Sequence, residues 1–532
     1  MKKTRLVVIA PALTLKNVDY DPLIDGLQTE EGLKPETTVW EVFNKVIWPL
    51  GGRSLERFSA DLAQQINTAW VHNDGFEDVI LMGHSAGGLL VRQAYLSAWG
   101  IRGGTKYAWA EKVSRLVLLA APNRGVSRMR WHDRVGDVFL RVFFFFLHFT
   151  YQDLLEGSAF VTNLRIDWIR DFHARSGAAP MVLQLRGGDD DIVDVNASSD
   201  VLAFPNSAPV PMPGNHRSIV DIEARGEPDP SVGQQRYELI RNALLRGPES
   251  LGLASDALKR ERREPSFEDC VFILHGIRAR NMDEWLRKIQ GLIVASGGRT
   301  MAFSPSYEYF SALKFVLPSV RRRNIRFLQN AYTEHLAENP DARFHIIAHS
   351  NGTYMVGQSL KDVPAMQFDR MVLAASVLPT DTFREARSQF RERVKAVRAD
   401  GGQSDVPVGV LCRILRNVLC MRDLGTAGYD GFAGDFVKEY RHPGGHSGMF
   451  TETNIRSMVD FVLGKESGET PKDTLPKDGA FPMIARAAPF LTAGLLLLLF
   501  ALPLLIGWLN PVYWYGGLLV FVVVAAIILE VL

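Results

Sequence analysis

The sequence predicts an α/β protein of two tandem parallel-sheet domains followed by a C-terminal α-helical transmembrane hairpin. Three observations predict it. Short, near-continuously apolar strand segments alternate with segments of helical periodicity, the pattern of a parallel sheet covered on both faces. The order of segments occurs twice, and the small-residue turns around Ser85 and Ser350 lie 265 positions apart. From Ala487 the chain carries two uncharged apolar runs split by Asn510-Pro511, each long enough to cross a bilayer.

Composition bounds the problem. A chain of 532 residues exceeds one ordinary core, so two or more domains are expected. Hydrophobic residues make up 47% and charged residues 22%, a globular composition with an apolar excess. The net charge of +1 argues against a nucleic-acid partner held by bulk electrostatics. Cys270, Cys412 and Cys420 form no disulfide framework and no zinc spacing. They read as buried thiols of a reducing compartment.

In the first half, Leu6–Ile9 reads as a core strand rather than a signal peptide, because the apolar run is short and Pro11 interrupts it. Residues 38–43 form a second strand candidate. A helix over 54–72 places Leu55, Phe58, Leu62, Ile66, Ala69 and Trp70 at helical spacing. Asp78–Met82 is a strand, and Leu89–Leu96 a helix. Between them stands Gly83-His84-Ser85-Ala86-Gly87-Gly88. A strand, a Gly-x-Ser-x-Gly turn and a helix form a nucleophile elbow. The turn lifts the Ser85 hydroxyl off the sheet edge and aims the next amides at the same space. The Ala86 N–H is the first oxyanion donor by its position after the serine.

Val113–Ala120 is the next strand. An insertion, about 123–179, then carries the apolar centre 139–149, too short to span a bilayer. It reads as a lid that forms an apolar acyl pocket over the serine. Pro180–Arg186 is a further strand, ending at Gly187-Gly188-Asp189-Asp190-Asp191, and His216 follows in a polar turn. Ser, Asp, His in that order is a catalytic triad on this sheet type. His216 would take the Ser85 proton and return it to the leaving group.

The linker over 247–268 is charged, and the pattern then repeats. Cys270–Ile277 ends in His275-Gly276. Arg343–Ile347 leads into Ala348-His349-Ser350-Asn351-Gly352-Thr353. Phe368–Ala375 and Val394–Val397 are later strands, Asp400 and Asp405 follow, and His446 lies in another polar turn. Ser85 precedes Asp190 by 105 positions and Ser350 precedes Asp405 by 55, so the second copy omits the large insertion. His442 and His446 lack a further ligand at metal spacing, so no metal site is expected. Arg321, Arg322, Arg323 and Arg326 read as an exposed helix face, with anionic lipid head groups as a second reading.

On these motifs, residues 1 to about 245 resemble an α/β-hydrolase of the lipase/esterase type, and the second half resembles a further copy. The family pattern Gly-x-x-Asp-x-(Ile/Leu)-Val, aligned from Gly187, implies Asp190 as the acid, with Asp191 as the fallback. Asp-Val-Pro-Val at Asp405 resembles the same context, with Asp400 as the rival. The family's oxyanion loop follows its first core strand. Here Ala10-Pro11-Ala12-Leu13 stands there; proline has no N–H, which leaves Ala12 or Leu13. In the second half the resemblance implies Asn351 with Gly276 and Ile277. It implies ester or thioester hydrolysis with no cofactor, since water completes turnover. Two alternatives stand beside it: one catalytic domain with a docking partner domain, or a scaffold without turnover.

The predicted boundaries are 1–246 and 269–464 for the domains, 465–486 for a polar linker, and 487–532 for the hairpin. Trp508, Tyr513, Trp514 and Tyr515 cluster at the break, where an aromatic belt would sit. Lys465, Lys472, Lys477 and Arg486 precede the spans. The positive-inside rule therefore puts the turn outside and both domains in the cytoplasm, on the cell membrane. The anchor and the phenylalanine-rich insertion favour a lipid or acyl substrate.

Overall fold

The computed structural model describes residues 3–12, 18–43, 54–126, 152–175, 179–190, 192–193, 197, 206–253, 267–277, 284–305, 312–385, 392–465 and 479–509. The chain divides into two compact units, Met1–Glu264 with Gln329–Pro340, and Pro265–Leu328 with Asp341–Leu532.

The first unit holds six strands: β1 (Arg5–Ala10), β2 (Thr38–Val42), β3 (Asp78–His84), β4 (Val113–Leu119), β5 (Met181–Gly187) and β6 (Ser207–Met212). They form one sheet in the order β2-β1-β3-β4-β5-β6, with every pair parallel. Helices α1 (Asp21–Gln28), α2 (Leu55–His72), α3 (Ala86–Ala98), α4 (Ala159–Ala174) and α5 (Ser231–Leu245) accompany it. One face of the sheet carries Val7, Ile9, Ile80, Met82, Val117, Leu119, Leu183 and Leu185. These form one core with Leu23 and Leu27 of α1 and Ile240 and Leu244 of α5. Strand side chains alternate between faces. Leu6, Val8, Val79 and Leu81 therefore point to the other face, and they too are buried. Burial on both faces explains why the strands read as continuous apolar runs.

Helix α4 lies in the predicted insertion. Phe160–Ile169 are buried along it, so this part packs as a core helix against α3. The apolar centre 139–149, read as the lid, falls outside the described residues.

The second unit repeats the topology with β7 (Asp269–Leu274), β8 (Thr300–Phe303), β9 (Arg343–His349), β10 (Phe368–Ala374), β11 (Val394–Gly402) and β12 (Val437–His442). The order is β8-β7-β9-β10-β11-β12, again all parallel. Its labelled helices are α6 (Glu284–Ala295), α8 (Asn351–Asp362), α9 (Glu452–Val462) and α10 (Phe481–Leu509), while α7 (Pro318–Glu338) counts with it up to Leu328 and with the first unit from Gln329. Asp400, read as following its strand, lies inside β11 opposite Ala374.

Three sequence expectations need correction or relocation. Cys420 is exposed, although Cys270 and Cys412 are buried. Arg321 is buried and pairs with Asp423 and the Tyr354 hydroxyl, so it does not belong to an exposed basic face. Helix α10 starts before the predicted span and includes Arg486. Its window Phe481–Leu498 is long and apolar enough to cross a membrane, the one such helix among the described residues. The second predicted span, 512–529, lies outside them.

Both serines follow a sheet strand and open a helix with positive φ, 54° at Ser85 and 53° at Ser350. Such a backbone costs on the order of 1–3 kcal/mol for a non-glycine residue. Close packing enforces it. A β-carbon on Gly87 would run into the Ala10 carbonyl, and one on Gly83 would lie 2.5 Å from the Gly87 oxygen. Gly87→Ala should therefore lower the stability of the first domain by about 3 kcal/mol or more. Gly291→Ala, in α6 with open space around it, should raise stability by about 0.5–1 kcal/mol. Thermal melting of the detergent-solubilised chain checks both.

Candidate active site

The elbows place each serine at the C-terminal edge of its sheet. The Ser85 amide donates to the Leu119 carbonyl at 2.8 Å, and the Ser350 amide to the Ala374 carbonyl at 3.0 Å. The turn is thereby tied to the neighbouring strand. Ala86 and Asn351 are the first residues of α3 and α8. Their amides are among the N–H groups left without an intrahelical acceptor at a helix start, where an anion is stabilised.

In the first unit the predicted residues converge. Ser85 Oγ lies 2.8 Å from His216 Nε2, and His216 Nδ1 lies 3.1 Å from Asp190 Oδ2. A carboxylate can only accept, so Nδ1 carries the proton and Nε2 accepts the serine hydroxyl. The other Asp190 oxygen accepts the amides of Ile192 and Val193 at 2.9 and 2.8 Å. Burial pushes the Asp190 carboxyl up. The His216 contact and the two amides outweigh it and hold the group below its ordinary value. Asp191, the fallback, lies outside the described residues.

Of the proposed oxyanion donors on the first loop, Leu13 also lies outside the described residues. Ala12 requires correction: its N–H donates to the Tyr20 hydroxyl at 2.9 Å, which turns it to a structural partner. That contact begins a chain that the sequence reading missed. The Tyr20 hydroxyl lies 2.8 Å from His84 Nδ1, and His84 Nε2 lies 2.8 Å from the His216 carbonyl oxygen. An amide only donates and a carbonyl only accepts, which sets every proton between them. Tyr20 donates to Nδ1, and His84 is the neutral Nε2–H tautomer. Burial, then the nearby His216, lowers the His84 pKa to about 4. This chain grips the backbone of the residue whose side chain faces Ser85. Arg236, fully buried, holds the same loop through the Pro213 and Asp221 carbonyls.

In the second unit Asp405 and His446 meet, with Nδ1 2.9 and 3.0 Å from the carboxylate oxygens. Asp405 is fully buried, and the Val408 amide donates to it at 3.0 Å. Its rival Asp400 is engaged elsewhere, by Arg398 at 2.8 and 2.9 Å and by His442 at 2.8 Å. Asn454 ties His442 and Asp400 to the Met449 carbonyl, so this network holds the loop that carries His446. Among the described residues, no hydrogen bond joins Ser350 Oγ to His446. The His446 side chain is 23% exposed, against 5% for His216.

Gly276 reaches the second serine. A β-carbon there would stand 2.9 Å from Ser350 Cβ, so only glycine lets this loop approach. Ile277 lines a cavity together with Ser350 and Asn351. His349 repeats the grip of His84, with Nε2 3.1 Å from the His446 carbonyl oxygen. Its ring packs edge-on to Trp285 and Phe450 in place of a phenol. Trp285 lies 265 positions after Tyr20, the spacing of the two serines, and that offset was the available signal for Tyr20.

The buried His84 makes stability depend on pH. Its folded pKa lies below the unfolded value of about 6.5, so the unfolded chain binds the extra proton. The contribution is complete above about pH 6.5 and is lost as pH falls toward 4, by on the order of 3 kcal/mol. His84→Gln keeps an Nε2–H donor and removes the titration. Its melting temperature should fall less than that of the wild type between pH 7 and 5. Tyr20→Phe strips a partner from the buried His84 ring and from the half-buried Ala12 amide and should cost about 1–3 kcal/mol at any of these pH values.

No protein-family model matches the chain, and no curated protein matches it. Solved structures do resemble parts of it. Phospholipase PlaB from Legionella pneumophila is 15% identical with a TM-score of 0.37 over 48% of this chain and 63% of its own. The chain thus covers less than two thirds of that phospholipase. Est1E from Butyrivibrio proteoclasticus is 17% identical, with a TM-score of 0.28 over 46% of this chain and 90% of its own. A putative cell surface hydrolase from Lactobacillus plantarum is 14% identical, with a TM-score of 0.28 over 46% and 92%. The chain carries the α/β-hydrolase fold in two copies, each a six-stranded parallel sheet with a serine-bearing elbow after its central strand.

Proposed function

We propose that the chain is a membrane-anchored serine hydrolase that cleaves carboxylic ester or thioester bonds of lipid or acyl substrates. The observation that carries this reading is the unbroken line from Ser85 Oγ through His216 to Asp190. His216 Nε2 takes the hydroxyl proton as Oγ attacks the carbonyl carbon. The tetrahedral oxyanion faces the Ala86 N–H at the start of α3. When the intermediate collapses, His216 returns the proton to the departing alcohol or thiol. Water then attacks the acyl carbon as His216 takes its proton, and the Ser85 Oγ–acyl bond breaks as His216 returns that proton to Ser85, which releases the acid. Asp190 fixes the imidazole tautomer and supports the imidazolium.

Ser350, His446 and Asp405 are assigned the same roles, with Asn351, Gly276 and Ile277 around the oxyanion. This site rests in a different state, because the serine–imidazole bond is not made. Such bonds often close only when substrate arrives. The same observation favours the second reading, in which the second domain binds and only the first turns over.

Fluorophosphonate labelling with peptide mapping separates the two. Ser85 should label faster than Ser350 in the wild type, and Ser85→Ala should lose the fast label. Label on Ser85 alone would make the second domain a binding module. Label on neither serine of the folded chain would overturn the hydrolase reading in favour of a scaffold. Asp190→Asn should lower kcat for a soluble ester at the first site by about 10⁴-fold, measured in the Ser350→Ala background.

The anchor is assigned to α10 and the apolar run beyond it, with both domains inside. Asn510→Cys should react with an impermeant maleimide added to intact cells, whereas exposed Cys420 should react only after permeabilisation. The reverse pattern would invert the orientation.

A further inference from the structure

The cavity beside Ser350 shares a wall with the seat of the C-terminal helix. It opens partly to solvent, with Ser350 and Asn351 at its polar end. Phe315, Val377, Leu411, Cys412 and Leu415 supply an apolar lining. Leu411 and Cys412 belong to a π-helical turn, Pro407–Cys412, and Leu415 to the helical turn Arg413–Asn417 that continues it. The π-helix is rare and concentrates at functional sites. Here it begins two residues after Asp405, so the acid of the site and the wall of its cavity are one segment.

Helix α10 packs on that segment. A β-carbon on Gly409 would lie 3.2 Å from the rings of Phe481 and Tyr429. Those rings meet edge to face at 5.2 Å. Phe481 is the first residue of α10, and Ala485, one turn on, is fully buried. Beyond this foot the helix presents Phe490, Leu491, Leu495, Leu497 and Leu498 to the outside, with Phe490 81% exposed. Val406, Leu419 and Leu317, chain neighbours of the lining residues, are exposed apolar side chains as well. One helical segment therefore separates an apolar, serine-ended cavity from the base of a helix apolar enough to enter a bilayer.

We infer that the second site takes the acyl chain of a bilayer lipid, with the chain lying between Phe315 and the Leu411–Leu415 wall and its carbonyl at Ser350. The inference rests on the proposed roles of Ser350 as nucleophile and of α10 as a membrane span. In the first domain the sequence puts its apolar insertion between strands β4 and β5. The second domain lacks that insertion and builds its apolar wall from the segment after the acid.

The test uses the full chain in phosphatidylcholine vesicles with ethyl and dodecyl fluorophosphonates, and follows label at Ser350 by peptide mapping. Reaction forms the Ser350 O–P bond, expels fluoride and passes the hydroxyl proton to His446. Leu411→Trp fills the cavity. The ratio of dodecyl to ethyl labelling at Ser350 should fall by about tenfold or more, the effect of denying burial to two or more methylenes. If this variant also loses the ethyl label, Leu415→Phe, a smaller intrusion, supplies the ratio. An unchanged ratio would sink the acyl cavity. Failure of wild-type Ser350 to react with either compound would instead overturn the nucleophile assignment. Dodecyl compound dissolved in the protein's own vesicles should label Ser350 faster than an equal amount supplied from a cyclodextrin complex. Equal rates would assign the cavity to a dissolved amphiphile and overturn the bilayer source.

Discussion

The carbonyl oxygen of each site histidine is held by the histidine that precedes each serine. His84 reaches the His216 backbone, and His349 reaches the His446 backbone. This one contact crosses from the elbow to the loop after the last sheet strand, two regions far apart in the chain. Both imidazoles are fully buried and their pKa values fall, to about 4 and about 3, through desolvation and the facing site histidine. Burial keeps each ring neutral, and the carbonyl that each Nε2 faces can only accept, so the proton sits on Nε2 as the strut needs. The strained serine and the loop it must meet are thus positioned by the same dipeptide.

The two copies keep this frame and vary what surrounds it. Tyr20 completes a polar chain to the Ala12 amide in the first domain. Trp285 and Phe450 stack 4.2 Å apart beside His349 in the second. Gly88 leaves no space for a β-carbon beside Ala121. Thr353, at the matching place, donates its hydroxyl to the Ser350 carbonyl and accepts the Val377 amide. A buried arginine anchors each histidine loop by a different route: Arg236 through backbone carbonyls, and Arg398 through Asp400, Asn454 and Ser457. Such networks are costly to leave half satisfied, so each copy changes its partners as a set.

The base of α10 and the second cavity meet in the segment after Asp405. Its π-helical turn begins two residues after the acid, lines the cavity on one side and seats Phe481 on the other. On the proposed reading, chemistry, chain selection and attachment depend on a single short piece of backbone.

Much of this was legible in the sequence because it rests on local rules. Apolar runs marked the buried strands, small residues marked the elbows, and a shared offset marked the repeat. Those features follow from backbone sterics and burial, which act over a few residues. Choosing Asp405 over Asp400 by sequence needed a resemblance, since both stand near the end of one strand. The fold separates them by packing: Asp400, inside β11, points into Arg398 and His442, while Asp405 lies past the strand end beside His446. Tyr20 carried only the repeat offset to Trp285 as a signal, because a lone tyrosine before a short helix has no periodic signature. Its role exists only once β1, β3 and the His216 loop converge. Ala12 was misread for the same reason, since the direction of an amide depends on which acceptor the fold brings to it. The sequence by itself determined the strands, the turns and the order of reactive residues. The tertiary structure decided which of those residues face one another, because hydrogen-bond partners across 131 positions, as for Ser85 and His216, are set by packing and by no local propensity.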